Sequence, residues 1–227
     1  MGEMVEIAAN AKTTQGYFST ATNPRPGIVV IQEWWGLDEH IKDVVDRFGD
    51  SGFCALAPDL FDGEVTKDAG RAAEMMMGMG FAAALEKLSA AVDFLLANDQ
   101  VTGDKVGVVG FCMGGGLALA LAADRPDAVA AAVPFYGVIP WEDAQPDFSA
   151  VEASILGHYA ELDEFIPPEQ VDELEAHIRG HGVEVTIRRH SGVEHAFFND
   201  TRSEVYNEDA AADAWQECLD FLDDNLK

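Results

Sequence analysis

A cysteine between glycines, at the junction of a strand and a helix, is the residue of this sequence best suited to chemistry. Residues 105–112 form an apolar run that predicts a strand, and residues 113–123 predict a helix that follows at once. In a G-x-nucleophile-x-G turn such as Gly110-Phe111-Cys112-Met113-Gly114, the central side chain is exposed and the glycines let strand and helix approach closely. The helix N-terminus favours a thiolate, and the amide of Met113 is placed to bind an oxyanion. The pattern therefore predicts Cys112 as a nucleophile.

Two plainer interpretations of this segment stay open, a buried packing cysteine and a nucleotide-binding loop. The letters GFCMGGG do not match GxGxxG, and the acidic partner that binds a ribose is missing at the expected distance. Cys54 lies within an apolar strand pattern and Cys218 on the apolar face of a helix, so both are interpreted as packing residues.

An acid and a base follow the cysteine in the order that enzymes with this turn use, which is nucleophile, acid, histidine. Asp163 begins an acidic turn after the predicted strand 154–163, and its rivals are Glu161 and Glu164. A turn or cap carboxylate is the plainer alternative. His195 lies on a loop after the predicted strand 183–190, where one ring nitrogen can take the thiol proton while Asp163 orients the other. His190 is the rival base.

Strand and helix patterns alternate along the whole chain. Besides the segments above, the apolar runs predict strands at 27–36, 54–60 and 128–137, and the amphipathic pattern predicts helices at 40–49, 81–96, 168–179 and 210–226. The first twenty residues are expected to form an antiparallel edge strand or hairpin. This alternation predicts an α/β protein, a three-layer α/β/α sandwich with a mostly parallel central sheet, and a single domain over residues 1–227. Chemical residues should then follow the strands, as the candidates do.

Composition excludes several classes of function. Acidic residues number 41 and basic residues 14, and the net charge of −27 repels nucleic acid and anionic membranes. The acidity indicates either adaptation to high salt or an ordinary acidic enzyme. No apolar run is long enough to span a membrane, no leader pattern is seen, and neither the three cysteines nor the six histidines have metal-ligand spacing. We expect a soluble, cytoplasmic monomer that acts on a small molecule without metal or cofactor.

The motifs together resemble the dienelactone hydrolases (carboxymethylenebutenolidases) of the α/β-hydrolase superfamily. The segments that carry the resemblance extend over essentially the full length of the chain: VVIQEWWGL (29–37), APDLF (57–61), GFCMGG (110–115), FYGV (135–138), AELDEFIPP (160–168) and GVEHAFFND (192–200). The resemblance implies Cys112, Asp163 and His195 as a catalytic triad and Glu33 as a further catalytic carboxylate. It also implies that the amide of Trp34 joins that of Met113 in the oxyanion hole.

The resemblance also implies how a substrate would be held. The family binds its substrate carboxylate with arginines, one of which aligns with Arg71. The second would lie four residues after the histidine, where this chain has Asn199, and Arg202 is a possible substitute. Trp35 and Phe111 are further candidates for substrate contact.

The function that follows is cysteine-dependent hydrolysis of an ester or enol-lactone, for example of 4-carboxymethylenebut-2-en-4-olide to maleylacetate. A broad carboxylesterase or lactonase of the same fold is the alternative. A non-catalytic thiol sensor is a third possibility.

Overall fold

Strands and helices alternate in the computed structural model, which describes residues 1–9, 12–141, 144 and 146–227. The strands are β1 (Glu3–Ala9), β2 (Lys12–Ser19), β3 (Arg25–Ile31), β4 (Cys54–Pro58), β5 (Val101–Phe111), β6 (Val129–Phe135), β7 (Ser154–Ala160) and β8 (Val185–His190). The helices are α1 (Glu39–Asp50), α2 (Ala69–Met79), α3 (Phe81–Leu96), α4 (Met113–Asp124), α5 (Pro168–Gly180) and α6 (Glu208–Asn225).

All eight strands belong to one sheet in the order β1-β2-β4-β3-β5-β6-β7-β8. β1 and β2 form the predicted antiparallel hairpin at one edge, and β2 also pairs antiparallel with β4. Every other neighbouring pair of these strands is parallel. The carboxyl ends of β3 to β8 therefore lie along the same edge of the sheet, where ligands bind in folds of this kind.

Helices cover both faces of the sheet, and each face has its own hydrophobic core. Val44, Phe48 and Cys218 belong to the core under α1 and α6. Leu88 and Leu117 belong to the core on the other face, under α3 and α4. This confirms the predicted three-layer α/β/α class. Among the described residues, no helix combines the length and apolarity needed to cross a bilayer.

The strand predicted over residues 27–36 is shorter in the structure and ends at Ile31. Gln32 is fully buried, and its side-chain oxygen accepts a hydrogen bond from Leu60 N (3.2 Å), so the chain is held by a side chain where it leaves the sheet. Gly36 then turns the chain with a φ of 101°, which favours glycine. The apolar residues of this segment, Trp34 and Trp35, consequently form a turn above the sheet.

Candidate active site

Cys112 lies on the sharp turn between β5 and α4 and has φ 53° and ψ −117°, a strained conformation for a residue with a side chain. Close packing around the turn requires glycine. A Cβ at Gly110 would overlap the carbonyl oxygen of Gly114, and a Cβ at Gly114 would overlap that of Ile31. The turn lifts the half-buried Cys112 side chain to the N-terminus of α4, as the sequence predicts.

Two more strained residues lie beside this turn. Tyr136, directly after β6, has φ 38°, and Ala196, directly after His195, has φ 65°. Both are buried, and the ring of Tyr136 packs against the ring of His195, with 5.1 Å between centroids. Backbone strain at non-glycine residues is maintained only where the surroundings fix it, and it concentrates at functional sites.

His195 and Asp163 are brought together from the loops that follow β8 and β7. His195 Nδ1 donates to Asp163 Oδ2 (2.7 Å), and this carboxylate is almost completely buried. The other oxygen, Asp163 Oδ1, accepts from the amides of Phe165 and Ile166, each at 2.9 Å. The rival acid Glu161 is exposed and accepts instead from Gly192 N (2.8 Å). The rival base His190 is hydrogen-bonded to His158 (3.1 Å).

The pKa of His195 is raised to about 10. Burial alone would favour the neutral ring, but the hydrogen bonds to Asp163 and to the Cys112 side chain favour the charged ring and outweigh it. With Nδ1 bound to Asp163, it is Nε2 that is available to the cysteine. A protonated imidazole next to sulfur is the arrangement that stabilises a thiolate.

Glu33 lies in the turn after β3 and is almost completely buried. Its Oε2 accepts from Asn199 Nδ2 (2.8 Å), while Asn199 Oδ1 accepts from the amide and the hydroxyl of Thr201 (3.1 and 2.7 Å), so the orientation of the amide group is fixed. Glu33 Oε1 has no partner among the described residues. Burial raises the pKa of Glu33, although the nearby His40 and Asn199 partly oppose the rise.

A mostly apolar cavity of about 410 Å³ opens beside Cys112. We call it the inner cavity, and its walls contain Glu33, Trp34, Trp35, Ala69, Met76, Cys112, Met113, Val138, Pro140, Phe165, Ile166, His195, Ala196 and Arg202. The amide of Trp34, in the turn after β3, and the amide of Met113, at the first position of α4, donate to no backbone carbonyl named for the described residues, which leaves them available to a ligand. The guanidinium of Arg202 lies 6.0 Å from the centroid of the Trp35 ring.

Three residues predicted to contact substrate do not line the inner cavity. Arg71, on α2, is exposed and held by Glu64 (2.6 and 2.8 Å) and Glu74 (3.0 Å). Phe111 is fully buried, and its ring stacks on that of Phe198. Asn199 is buried behind Glu33.

Several residues of the inner cavity wall were not predicted from the sequence, namely Ala69, Val138, Pro140, Phe165, Ile166 and Ala196. They come from four different segments, and only adjacency to Asp163 or His195 could have indicated some of them. Within the part of the chain that the structure describes, no group of three or more His, Cys, Asp or Glu side chains could hold a metal ion.

Comparison with known proteins identifies the family of this chain. The model of the dienelactone hydrolase family matches residues 14–226. A protein of Aquifex pyrophilus named Protein usf is 37% identical, and one of Aquifex aeolicus, provisionally named a carboxymethylenebutenolidase, is 35% identical; each alignment covers 100% of both chains. The solved structure of P91, a dienelactone hydrolase-like promiscuous phosphotriesterase from metagenomic libraries, is 26% identical with a TM-score of 0.89, over 100% of this chain and 99% of that one. The chain therefore has the α/β-hydrolase fold and belongs to the dienelactone hydrolase family, whose members hydrolyse ester and lactone bonds.

Proposed function

We propose that this hydrolase uses Cys112 as the nucleophile that attacks the carbonyl of an ester or enol-lactone. One observation carries the proposal. The strained turn presents Cys112 at the N-terminus of α4, next to a histidine whose raised pKa favours the charged imidazolium ring. Asp163 keeps that histidine in one orientation.

The proposed reaction has two halves. The Cys112 thiolate attacks the carbonyl carbon, and the amides of Met113 and Trp34 bind the oxyanion that forms. When the carbonyl re-forms, the carbon–oxygen bond to the leaving group breaks, and His195 Nε2 gives its proton to that oxygen. In the second half His195 takes a proton from water, the hydroxide attacks the thioester, and the acid and the thiolate are released.

Glu33 supports this chemistry through its charge state. A negative carboxylate beside the cysteine would oppose formation of the thiolate. Because burial raises the pKa of Glu33, this carboxyl group keeps a proton more readily than an exposed glutamate does, and this reduces its opposition to the thiolate. Its unpaired Oε1 is then a hydrogen-bond donor or acceptor for the sulfur or for a bound substrate.

The preferred substrate class is an enol-lactone or an ester with an activated leaving group. An enolate leaves readily, so thioester formation requires little help from an acid. The provisional name of the Aquifex aeolicus relative supports this class. The second candidate is a broad esterase or lactonase. The mostly apolar inner cavity, the partly buried Trp34 and Trp35 in its wall and the promiscuity in the name of P91 favour it.

Steady-state hydrolysis of dienelactone and of p-nitrophenyl acetate tests the proposal. Cys112→Ala should lower kcat/KM for both by roughly a thousandfold or more, because the nucleophile is lost. Cys218→Ala is the matched control, since Cys218 is fully buried in the core under α6. Mass spectrometry of rapidly quenched wild type should detect an acyl group on the peptide that contains Cys112.

The outcomes separate the candidates. Turnover by Cys112→Ala at the wild-type rate would disprove the role of Cys112. Turnover of p-nitrophenyl acetate but not of dienelactone would keep the mechanism and favour the broad esterase. Thiol reactivity without turnover of either would favour the sensor.

A further inference from the structure

Phe165 is the one exposed aromatic side chain among the described residues. The chain has 13 phenylalanines, 4 tryptophans and 4 tyrosines, and in the structure every one of them except Phe165 is buried or half-buried. The side chain of Phe165 is 72% exposed, although phenylalanine is one of the residue types most often found in protein interiors. It also lies in the wall of the inner cavity. An exposed ring beside a nucleophile is a surface that an apolar part of a substrate can cover.

Phe165 packs against the proposed base. The centroids of the Phe165 and His195 rings lie 5.2 Å apart. The fully buried ring of Tyr136 packs against the same imidazole, with 5.1 Å between centroids. His195 therefore has one buried and one exposed aromatic neighbour, and a group that approaches this imidazole through the inner cavity comes close to the exposed one.

The backbone that carries Phe165 is fixed. The amides of Phe165 and Ile166 both donate to Asp163 Oδ1, at 2.9 Å each, and the amide of Leu162 donates to the carbonyl oxygen of Val193 (3.0 Å). The carboxylate that orients His195 therefore also positions the segment that bears the exposed ring. A ligand that contacts a ring on such a segment loses little free energy in ordering it.

The proposed chemistry determines which part of the substrate comes near Phe165. When the carbon–oxygen bond to the leaving group breaks, the leaving oxygen takes the proton of His195 Nε2, so the leaving group must then lie next to His195. The acyl group stays bonded to Cys112 Sγ, with its oxygen at the amides of Met113 and Trp34. The exposed ring beside His195 is therefore adjacent to the leaving group.

We propose that Phe165 determines the specificity for the leaving group, and that this hydrolase favours uncharged aryl esters, whose aromatic alcohol stacks on the Phe165 ring. This inference rests on the proposed function and defines its substrate further. Pairs of aromatic rings attract each other beyond the effect of the apolar area that they bury. The mostly apolar wall of the inner cavity suits an uncharged ring.

Esters that share the acetyl group and differ in the alcohol test the proposal. Naphthyl acetate has an aromatic leaving group, and hexafluoroisopropyl acetate has an aliphatic one of similar acidity. In wild type, kcat/KM should be higher for the aryl ester. Phe165→Ala should lower the ratio of the two kcat/KM values by roughly tenfold, and Phe165→Tyr, which keeps a ring, should preserve it. Leu162→Ala is the matched control, because Leu162 is exposed on the same turn but does not line the inner cavity.

Two further measurements distinguish the leaving group from the acyl group. With p-nitrophenol as the constant leaving group, Phe165→Ala should lower kcat/KM by the same factor for the acetyl and the butyryl ester. Naphthol, the released product, is titrated calorimetrically into Cys112→Ala with and without Phe165→Ala. Its Kd should be roughly tenfold higher when the ring is absent, and this comparison requires no turnover.

The outcomes decide the proposal. Equal losses of kcat/KM for naphthyl and hexafluoroisopropyl acetate in Phe165→Ala, with unchanged binding of naphthol, would show that the ring only supports its turn and would overturn the proposal. A changed preference between the acetyl and butyryl esters would place the ring against the acyl group and would also overturn it. Failure of the proposed function is seen separately, as turnover by Cys112→Ala at the wild-type rate, on which the binding of naphthol does not depend.

Discussion

The two carboxylate oxygens of Asp163 have separate partners. Oδ2 accepts from His195 Nδ1, and Oδ1 accepts from the amides of Phe165 and Ile166. One side chain therefore orients the base and shapes the loop that carries Phe165 to the inner cavity wall. Because the hydrogen bond to Asp163 helps to raise the pKa of His195 to about 10, loss of the charge on Asp163 should change both the orientation and the titration of the base.

Asp163→Asn should lower kcat by roughly 10²–10⁴-fold, because the imidazolium loses its charged partner. The pKa of His195 should fall, so the alkaline decline of kcat/KM should move from near pH 10 in wild type to lower pH. In wild type, the raised pKa of His195 also means that its charged ring stabilises the fold below about pH 6.5. This contribution to the free energy of unfolding is lost as the pH rises toward 10. Glu164→Gln changes an exposed residue on the same turn and should leave the pH dependence of kcat/KM unchanged. If kcat/KM of Asp163→Asn declines at the same alkaline pH as in wild type, the result would contradict the pairing of His195 with Asp163.

Single residues differ in how far the sequence could predict them. Cys112, Asp163 and His195 each follow a strand, and parallel strands bring such positions to one edge, so their meeting could be predicted. Arg71 could not be placed, because its direction depends on the ion pair with Glu64, across an irregular segment between β4 and α2. Asn199 was expected to contact substrate, and the structure shows its side chain donating to Glu33 outside the inner cavity.

At the scale of elements, β7 and β8 share an unusual pair of histidines. His158 is fully buried on β7, and its Nδ1 lies 3.1 Å from Nε2 of His190 on β8. Burial, with repulsion from His190 and Arg188, lowers the pKa of His158 to about 3. Glu217, on α6, lies 4.0 Å from His158 and does not offset this effect. Burial also lowers the pKa of His190.

The free energy of unfolding should decrease as the pH falls from about 6.5 toward 3, because the unfolded chain binds a proton at position 158 and the folded chain does not. His158→Asn removes this titration and keeps an amide that can bond to His190. Relative to wild type, it should gain on the order of 2 kcal/mol between pH 6.5 and pH 4.5. Urea unfolding at each pH measures this, with His181→Asn, an exposed position, as control. If the free energies of unfolding of wild type and His158→Asn change equally with pH, the prediction is refuted.

The order and type of most elements could be predicted because apolar periodicity records burial directly, whereas α2 was not among the predicted helices. The end of β3 could not be predicted, because the apolar run continues through Trp34 and Trp35. These residues lie in a cavity wall and are not part of the strand. An apolar run reports that side chains avoid water, and it does not say which surface covers them. For this reason the segments that build the walls of the inner cavity were the least predictable part of the chain.

For the whole molecule, charge is the dominant surface property. The net charge is −27, and nearly all described cations are already paired, so the remaining carboxylates repel one another without compensation. Helix α6 shows the two sides of this effect. Glu208 and Asp209 lie in its first turn, where negative charge is favourable. Asp220, Asp223 and Asp224 lie near its C-terminus, where negative charge is unfavourable, and the single positive charge of Lys227, which pairs with Asp223 and Asp224, offsets it only in part.

Raising KCl to about 1 M shortens the Debye length from roughly 10 Å at 0.1 M to roughly 3 Å. This should increase the Tm of wild type, because the repulsion between carboxylates that salt screens exceeds the attraction that it screens.

The triple change of Asp220, Asp223 and Asp224 to Asn should raise the Tm at low salt, by roughly 2–4 °C for each kcal/mol gained, and should have little effect at 1 M. The matched change of Glu208 to Gln and Asp209 to Asn removes favourable charges and should lower the Tm at low salt. If both variants raise the Tm equally, total charge alone matters and the position along α6 does not. If wild type melts at the same temperature at every KCl concentration, repulsion between the carboxylates does not limit its stability, and adaptation to high salt is excluded as the origin of its acidity.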